Sequence, residues 1–366
     1  MTTAVQAAVL HGKNEPFLFE DLTLDEIRPD EILVRIAAVG LCHTDLVAQQ
    51  RGVTFPQVVG HEGAGVIQEV GSAVAGLVVG DNVALSFTSC GRCHNCLAGR
   101  GAYCIHFGAL NVGGTRPDGS TTLIDSSGAP VHGNFFGQSS FATHAIATAA
   151  NAVKLPDGAP VDISGPLGCG IQTGAGTVLN SLAVPAGASI VISGTGAVGL
   201  SGIMGAKIAG ATTIIAVDLV DGRLEFAKTL GATHIINSKN EDLAKQVIQI
   251  TGGGADYAFD TTGAAEVIES LVKATTYGAK IALVGASKPG STIPLALVSA
   301  SGRTVIGAIE GDAVPQNFIP QLLDLHRAGQ FPFDRLITSY PFEQLNQAIS
   351  DTATGKTVKA LLVMPK

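Results

Sequence analysis

Residues 189–218 read SIVISGTGAVGLSGIMGAKIAGATTIIAVD. An apolar strand runs into the glycine turn GTGAVG, a helix follows, and a second apolar strand ends on Asp218, 19 residues beyond Gly199. G-x-G-x-x-G alone is a weak signal, but between a strand and a helix it is the fingerprint of a dinucleotide-binding unit. Gly194 permits the tight turn, Gly196 lets the backbone approach a pyrophosphate, and Gly199 packs helix against strand. The helix N-terminus favours the phosphate charge. Asp218 is positioned to accept hydrogen bonds from an adenosine ribose and to repel a 2′-phosphate, which selects NAD over NADP. Arg223, close by in sequence, is the kind of residue that accommodates that phosphate instead.

Outward from this unit the alternation continues. A helix over 223–230 leads to THIIN, a helix over 241–250 to DYAFD, and a further helix to KIALVG and TVIGAI. Strands alternating with helices of this length specify a parallel sheet with helices on both faces, so residues 171–309 are expected to form a doubly wound domain. Residues 163–206 carry no charge, and 186–206 resemble a membrane span by hydropathy. Ser193, Thr195 and the recurrent glycines argue for a buried strand, turn and helix there.

Upstream the pattern is different. In residues 5–70 the runs QAAVL, FLFE, EILVRIAAVG and AGVIQEVG alternate or cluster apolar residues between Gly, Pro and Asp turns, which predicts strands. EILVRIAAVGLCHTD reads as a strand delivering Cys42 at its end, with a short helical turn through Asp45. Residues 111–130 read as a surface loop with a hairpin, after which NFFGQSSFATHAIA resumes strand character, with Phe135, Phe136 and Phe141 in the core. The tail leaves the alternation: NFIPQLLDLHRAG and FEQLNQAISDTATG predict two amphipathic helices, and KALLVM a closing strand. Residues 1–170 and 310–366 are therefore assigned to one β-rich domain, with the dinucleotide-binding domain inserted.

Composition bounds the partners. At 366 residues the chain is long for one core of the usual size, about 100–200 residues. Apolar content of 46% with 14% charged residues argues against disorder. The net charge of −8 comes without any Lys/Arg run, so no nucleic-acid partner is indicated. MTTAVQAAVLHGKNEPF has no cationic start leading into an apolar core, so export is not expected and the cytoplasm is the assigned compartment.

Six cysteines in a reducing compartment are thiols available for metal or catalytic work. Cys90, Cys93, Cys96 and Cys104 form C-x2-C-x2-C-x7-C in a segment with no apolar periodicity. Four thiolates on a tetrahedral zinc would staple such a segment and leave no open position. C-x2-C-x2-C also begins a ferredoxin run, but that run closes with C-x3-C-P, whereas Cys104 comes after seven residues and precedes Ile105. The other thiols stand alone. GLCHTD supplies Cys42, GHEGAG supplies His61 and Glu62, and PLGCGIQTGAG supplies Cys169: the donor set of a catalytic zinc with an open position. Taken singly, these cysteines read equally well as small buried hydrophobes and His61 as a satisfied core histidine.

In this order, GLCHTD, GHEGAG, the four-cysteine run and GTGAVG resemble the zinc-dependent medium-chain alcohol dehydrogenase family over essentially the whole chain. GLCHTDLV, FFGQSSFATHA and PLGCGIQTGAG look closest to its benzyl or aryl-alcohol dehydrogenases. The resemblance implies an α/β protein with a GroES-like catalytic domain and a Rossmann domain. It implies a catalytic Zn2+ on Cys42, His61 and Cys169 with Glu62 as an alternating ligand, and a structural Zn2+ on Cys90, Cys93, Cys96 and Cys104. NAD would be held by Gly194, Gly196, Val198, Gly199, Asp218 and Arg223, with His43 near the pyrophosphate. Thr44 matches the hydroxyl residue that bonds the substrate oxygen, and Phe87 and Phe136 match substrate-pocket positions. Many members carry a histidine five residues after the first ligand cysteine as the outer end of a proton relay; Val47 stands there in this chain.

The implied reaction interconverts a primary aromatic alcohol and its aldehyde in a homodimer or homotetramer. Glutathione-dependent formaldehyde oxidation and broad aliphatic or terpenoid alcohol oxidation share the same signatures. The chemistry accords with the donor set. A hydride leaves carbon readily only from a deprotonated alcohol, and zinc lowers the pKa of bound water from about 15.7 to about 7. A zinc-free quinone or enone reductase on this fold would have no use for Cys42, His61 and Cys169.

Overall fold

The computed structural model describes residues 2–365. The chain separates into two compact units, one of Met1–Cys169, Val314–Leu323 and Asp334–Lys366, the other of Gly170–Ala313 and Asp324–Phe333.

The second unit contains a six-stranded parallel sheet in the order His234–Asn237, Thr213–Asp218, Ser189–Ser193, Ala255–Asp260, Thr275–Leu283, Thr304–Gly307. Numbered along the chain this is 3-2-1-4-5-6, the doubly wound order that reverses beside the first strand and opens a crevice there. Ile190, Val191, Ile192, Ala258, Phe259, Ile281 and Ala282 are fully buried, as continuous apolar runs must be when both faces of a sheet are covered. The helices are Ala197–Ile208, Asp221–Leu230, Leu243–Thr251 and Ala265–Ala274. Asp242 caps the third by accepting from the Lys245 amide at 3.0 Å. The short helix Leu295–Ala300 was not expected from sequence; none of its residues is buried, so it carries no apolar stripe to read.

The first unit is built on two sheets. One runs Gln57–Val58, Thr3–Leu10, Leu18–Leu24, Leu123–Ile124, Pro130–Val131. The other runs Ala152–Lys154, Asn82–Leu85, Gly63–Val70, Glu31–Gly40, Lys359–Val363, Ile337–Pro341, with His144–Thr148 also pairing to Glu31–Gly40. Phe17, Phe141, Ile32, Ile36, Ile67 and Leu85 are buried within one hydrophobic core. The closing strand Lys359–Val363 pairs with Glu31–Gly40, which returns the C-terminal tail to the strand that carries Cys42.

Four local expectations are corrected. Cys42 opens a nine-residue helix, His43–Arg51, rather than a short turn, because Asp45 accepts from the Cys42 amide and closes a capping box. NFFGQSS is not a strand: Phe135–Gly137 is a 3-10 turn and only His144–Thr148 is extended. The 111–130 segment has the expected hairpin, but Arg116 within it is buried and grips Glu31 at 2.7 and 2.9 Å and Asp25 at 2.7 Å. Residues 310–313 and 324–333 group with the second unit. There Glu310 accepts from Gln172 at 3.0 Å, and the His326 ring packs on Phe333 at 4.7 Å. Among the described residues, no helix is long and apolar enough to cross a membrane.

Candidate functional site

Three separate stretches bring the solitary ligands together. Strand Glu31–Gly40 ends two residues before Cys42, and His61 and Glu62 immediately precede strand Gly63–Val70, which pairs with it. The third arm is the turn Gly165–Gly168, which leads to Cys169. It lies so close to strand Asn82–Leu85 that a Cβ on Gly168 would stand 2.0 Å from the Leu85 carbonyl, so only glycine fits. The Ser86 hydroxyl donates to the Gly168 carbonyl at 2.6 Å and fixes the arm. Ligand atoms of Cys42, His61, Glu62 and Cys169 then all lie within 4.8 Å of one another.

The geometry fits a zinc ion. The Cys42 and Cys169 sulfurs are 4.0 Å apart, close to the roughly 3.8 Å that two Zn–S bonds of about 2.3 Å subtend at a tetrahedral angle. The His61 Nδ1 hydrogen-bonds Asp45 Oδ1 at 2.8 Å with both side chains fully buried, which leaves Nε2 facing the thiols. That Nε2 is a buried nitrogen with no hydrogen-bond partner. A buried polar atom left bare is costly, and a metal bond would satisfy this one. Asp45 also accepts from the Cys42 amide at 3.0 Å and the Gly60 amide at 3.1 Å, so one carboxylate ties two ligand segments together.

At Cys42 the electrostatics favour the thiolate, the form that ligates a metal. The neighbouring Cys169 thiol holds the Cys42 thiol well below its usual range, against burial and with help from His61 and Lys359. Burial pushes the Glu62 carboxyl up, and Lys359 pulls it down. Lys359 is itself almost wholly buried. Its Nζ lies 2.7 and 2.6 Å from the two Glu62 oxygens and donates to the Leu41 carbonyl at 3.1 Å. Asp45 and Lys359 were not singled out from sequence. The capping position of Asp45, three residues after Cys42, was a readable signal; a lysine in the apolar strand KALLVM was the other.

An aromatic wall adjoins the ligands. Phe136 stacks on the His61 ring at 4.4 Å and 29°, and Phe135 meets it edge-on at 5.7 Å. Phe107 approaches both Phe136, at 6.2 Å, and Phe87, at 5.8 Å. Phe87 and Phe136 thus lie in one cluster, joined by Phe107, which sequence reasoning missed. Phe136 has φ 53° and ψ 30°. A bulky side chain in this left-handed region costs on the order of 1–3 kcal/mol and persists only where its surroundings enforce it. Thr44 and Val47 are half-buried on the helix that follows Cys42, and His43 is exposed.

The second cluster is different. Cys90 and Cys96 sulfurs are 3.9 Å apart, and Cys93 and Cys96 3.5 Å. With Cys104 all four lie within 4.8 Å of one another. Backbone amides of Cys96 and Ile105 bring the Cys93 thiol down to about 6, whereas burial pushes Cys104 up to about 11. The set holds only thiols, which fits a closed tetrahedral site.

In the other unit, Gly194 has φ 85°, and a Cβ on Gly199 would stand 1.8 Å from the Gly194 carbonyl. A Cβ on Gly196 would meet nothing within 4 Å, so space is open above that backbone, as a pyrophosphate requires. Val198 lies in the first turn of helix Ala197–Ile208. Asp218 ends its strand with its carboxylate accepting from the Thr195 amide at 2.7 Å and hydroxyl at 2.6 Å, and from the Leu219 and Val220 amides. Arg223 is in the first turn of helix Asp221–Leu230, and its buried Nε has no hydrogen-bond partner.

Comparison with known proteins bears on both units. The family profile described as an alcohol dehydrogenase GroES-like domain matches residues 28–157, and that of a zinc-binding dehydrogenase matches residues 197–327. Geraniol dehydrogenase of Castellaniella defragrans is 44% identical over 364 residues, 98% of each chain. An alcohol dehydrogenase zinc-binding domain protein from Burkholderia ambifaria, of known crystal structure, is 50% identical with a TM-score of 0.98 and full coverage of both chains. The benzyl alcohol dehydrogenase structure from Acinetobacter calcoaceticus is 42% identical with a TM-score of 0.95, covering 99% of this chain and 100% of that one.

Proposed function

We propose that this chain, which belongs to the zinc-dependent medium-chain alcohol dehydrogenase family, interconverts primary aromatic alcohols and their aldehydes with NAD as hydride acceptor. Zinc and NAD are the cofactors typical of the family, and the chain is read as binding two zinc ions. Cys42, His61 and Cys169 would hold the catalytic ion, which acts as a Lewis acid that makes an alcohol oxygen acidic. Cys90, Cys93, Cys96 and Cys104 would hold the structural one. The bare Nε2 of the buried His61, facing two thiols, is the observation that carries the catalytic assignment.

The chain's own residues do the rest. Asp45 fixes the His61 tautomer and orients its ring. Thr44, two residues beyond Cys42, takes the alcohol proton, and Val47, without donor or acceptor, cannot carry it onward, so His43 or water completes the transfer. Asp218 selects NAD by accepting from the ribose hydroxyls and repelling a 2′-phosphate, its carboxylate held in place by the Thr195 amide and hydroxyl. The aromatic preference rests on Phe87, Phe107 and Phe136, whose faces and edges suit a substrate ring.

The relative described as geraniol dehydrogenase favours a second reading, in which the primary alcohol is an acyclic terpenoid. NADH absorbance with benzyl alcohol, geraniol and ethanol, each with and without formaldehyde and glutathione in parallel, separates these. Benzyl alcohol is expected to give the highest kcat/KM. A higher value for geraniol moves the assignment to the terpenoid, and turnover that demands glutathione replaces both.

A further inference from the structure

We propose that Phe136 is a positioning residue for the metal ligand His61, and that the strained turn carrying it exists to press its ring flat against the imidazole. This inference rests on the reading of His61 as a metal ligand. The Asp45 hydrogen bond fixes the ring at Nδ1 but leaves it free to tilt about that bond. Phe136, 4.4 Å away and 29° from parallel, covers one face, and Phe135 abuts it at 77°. With a hydrogen bond at one nitrogen and aromatic contacts on face and edge, Nε2 has one direction left to point.

Phe136 reaches that place only through an unfavourable backbone. Phe136, Gly137 and Ser139 have φ of 53°, 67° and 52° within four residues. The turn is enforced by buried side chains. Asn151 Nδ2 donates to the Phe136 carbonyl at 3.3 Å and the Gly137 carbonyl at 3.1 Å. Ser139 Oγ accepts from the Phe135 amide at 2.9 Å and donates to the Val58 carbonyl at 2.7 Å. Gln138 Nε2 donates to the His61 carbonyl itself at 3.0 Å, so the turn grips the ligand residue by its backbone as well as its ring. Such a network is more than a core phenylalanine needs, since a core position offers no reason for left-handed strain.

The test uses the cobalt(II)-substituted protein. Of the two donor clusters among the described residues, the Cys42, His61, Cys169 site alone contains an imidazole, so the paramagnetically shifted ring protons of one histidine report on it. Phe136→Leu removes the ring, and Asn151→Ala loosens the turn while keeping the ring. Both are expected to shift or broaden the His61 resonances and to raise the rate at which a chelator strips that cobalt about tenfold, the lower end of what supporting residues around metal ligands contribute. Resonances and release rate that stay at wild-type values in both variants, even with a lowered Tm, overturn the positioning role and make Phe136 ordinary packing. A wild-type protein without shifted imidazole resonances overturns the ligand assignment of His61 and this role with it.

Discussion

The two cysteine clusters are made of the same donor and differ in everything around it. At Cys42 and Cys169 the thiols are joined by His61 and Glu62, each fully buried and each held from behind, one by Asp45 and the other by Lys359. At Cys90, Cys93, Cys96 and Cys104 there are four thiols, three of them half-exposed, supported mainly by backbone amides such as those that Cys90 and His106 point at Cys104. Side-chain support and a mixed donor set make a site whose fourth position can exchange. Backbone support and four equal donors make a closed staple. The contrast predicts that damage to the first cluster removes chemistry and damage to the second removes structure.

The largest effect expected is on turnover. Cys42→Ser should reduce alcohol oxidation to background while leaving Tm near wild type, measured by NADH formation and calorimetry on the same preparation. Cys104→Ser should do the reverse, destabilising the protein by more than about 4 kcal/mol and promoting aggregation, since its segment has no core of its own. Retained activity in the first variant or retained stability in the second would break the contrast. Asp45→Asn sharpens it further: the loss should be about 10- to 100-fold in affinity at the first cluster, read by competition with a chelator, with no change at the second. The smallest effect belongs to the aromatic wall beside the first cluster. Phe87→Ala should lower kcat/KM for benzyl alcohol about two- to tenfold more than for ethanol, the worth of one aromatic pair at about 0.5–1.5 kcal/mol. Equal losses on both substrates would mark Phe87 as core.

What sequence made legible was local. Periodicity of two and of 3.6 residues, the glycine turn at Gly194 and the cysteine spacing each sit in one stretch, and the parallel sheet and the four-thiol set follow from them, whereas Cys42, His61, Glu62 and Cys169 lie in three stretches and are joined by the family resemblance. The supports were not legible because they are contacts between distant stretches. Lys359 lies 297 residues from Glu62, and Gln138 lies 77 from His61. Phe136 misled for a different reason. NFFGQSSF has strand composition, and its strained turn is imposed by Asn151 and Ser139 against the backbone preference of the residues themselves. Arg116 likewise sits in a polar segment that reads as surface, and its burial depends on Glu31, 85 residues away.

On the proposed reading, two metal sites of one chain divide chemistry from structure. Metal analysis of the wild type beside Cys42→Ser/Cys169→Ser, with Tm recorded for both, tests it most directly. Two zinc ions per wild-type chain, and one in a double variant that keeps its Tm, is the predicted result. A single zinc in the wild type, an iron–sulfur chromophore, or a double variant that unfolds would contradict it.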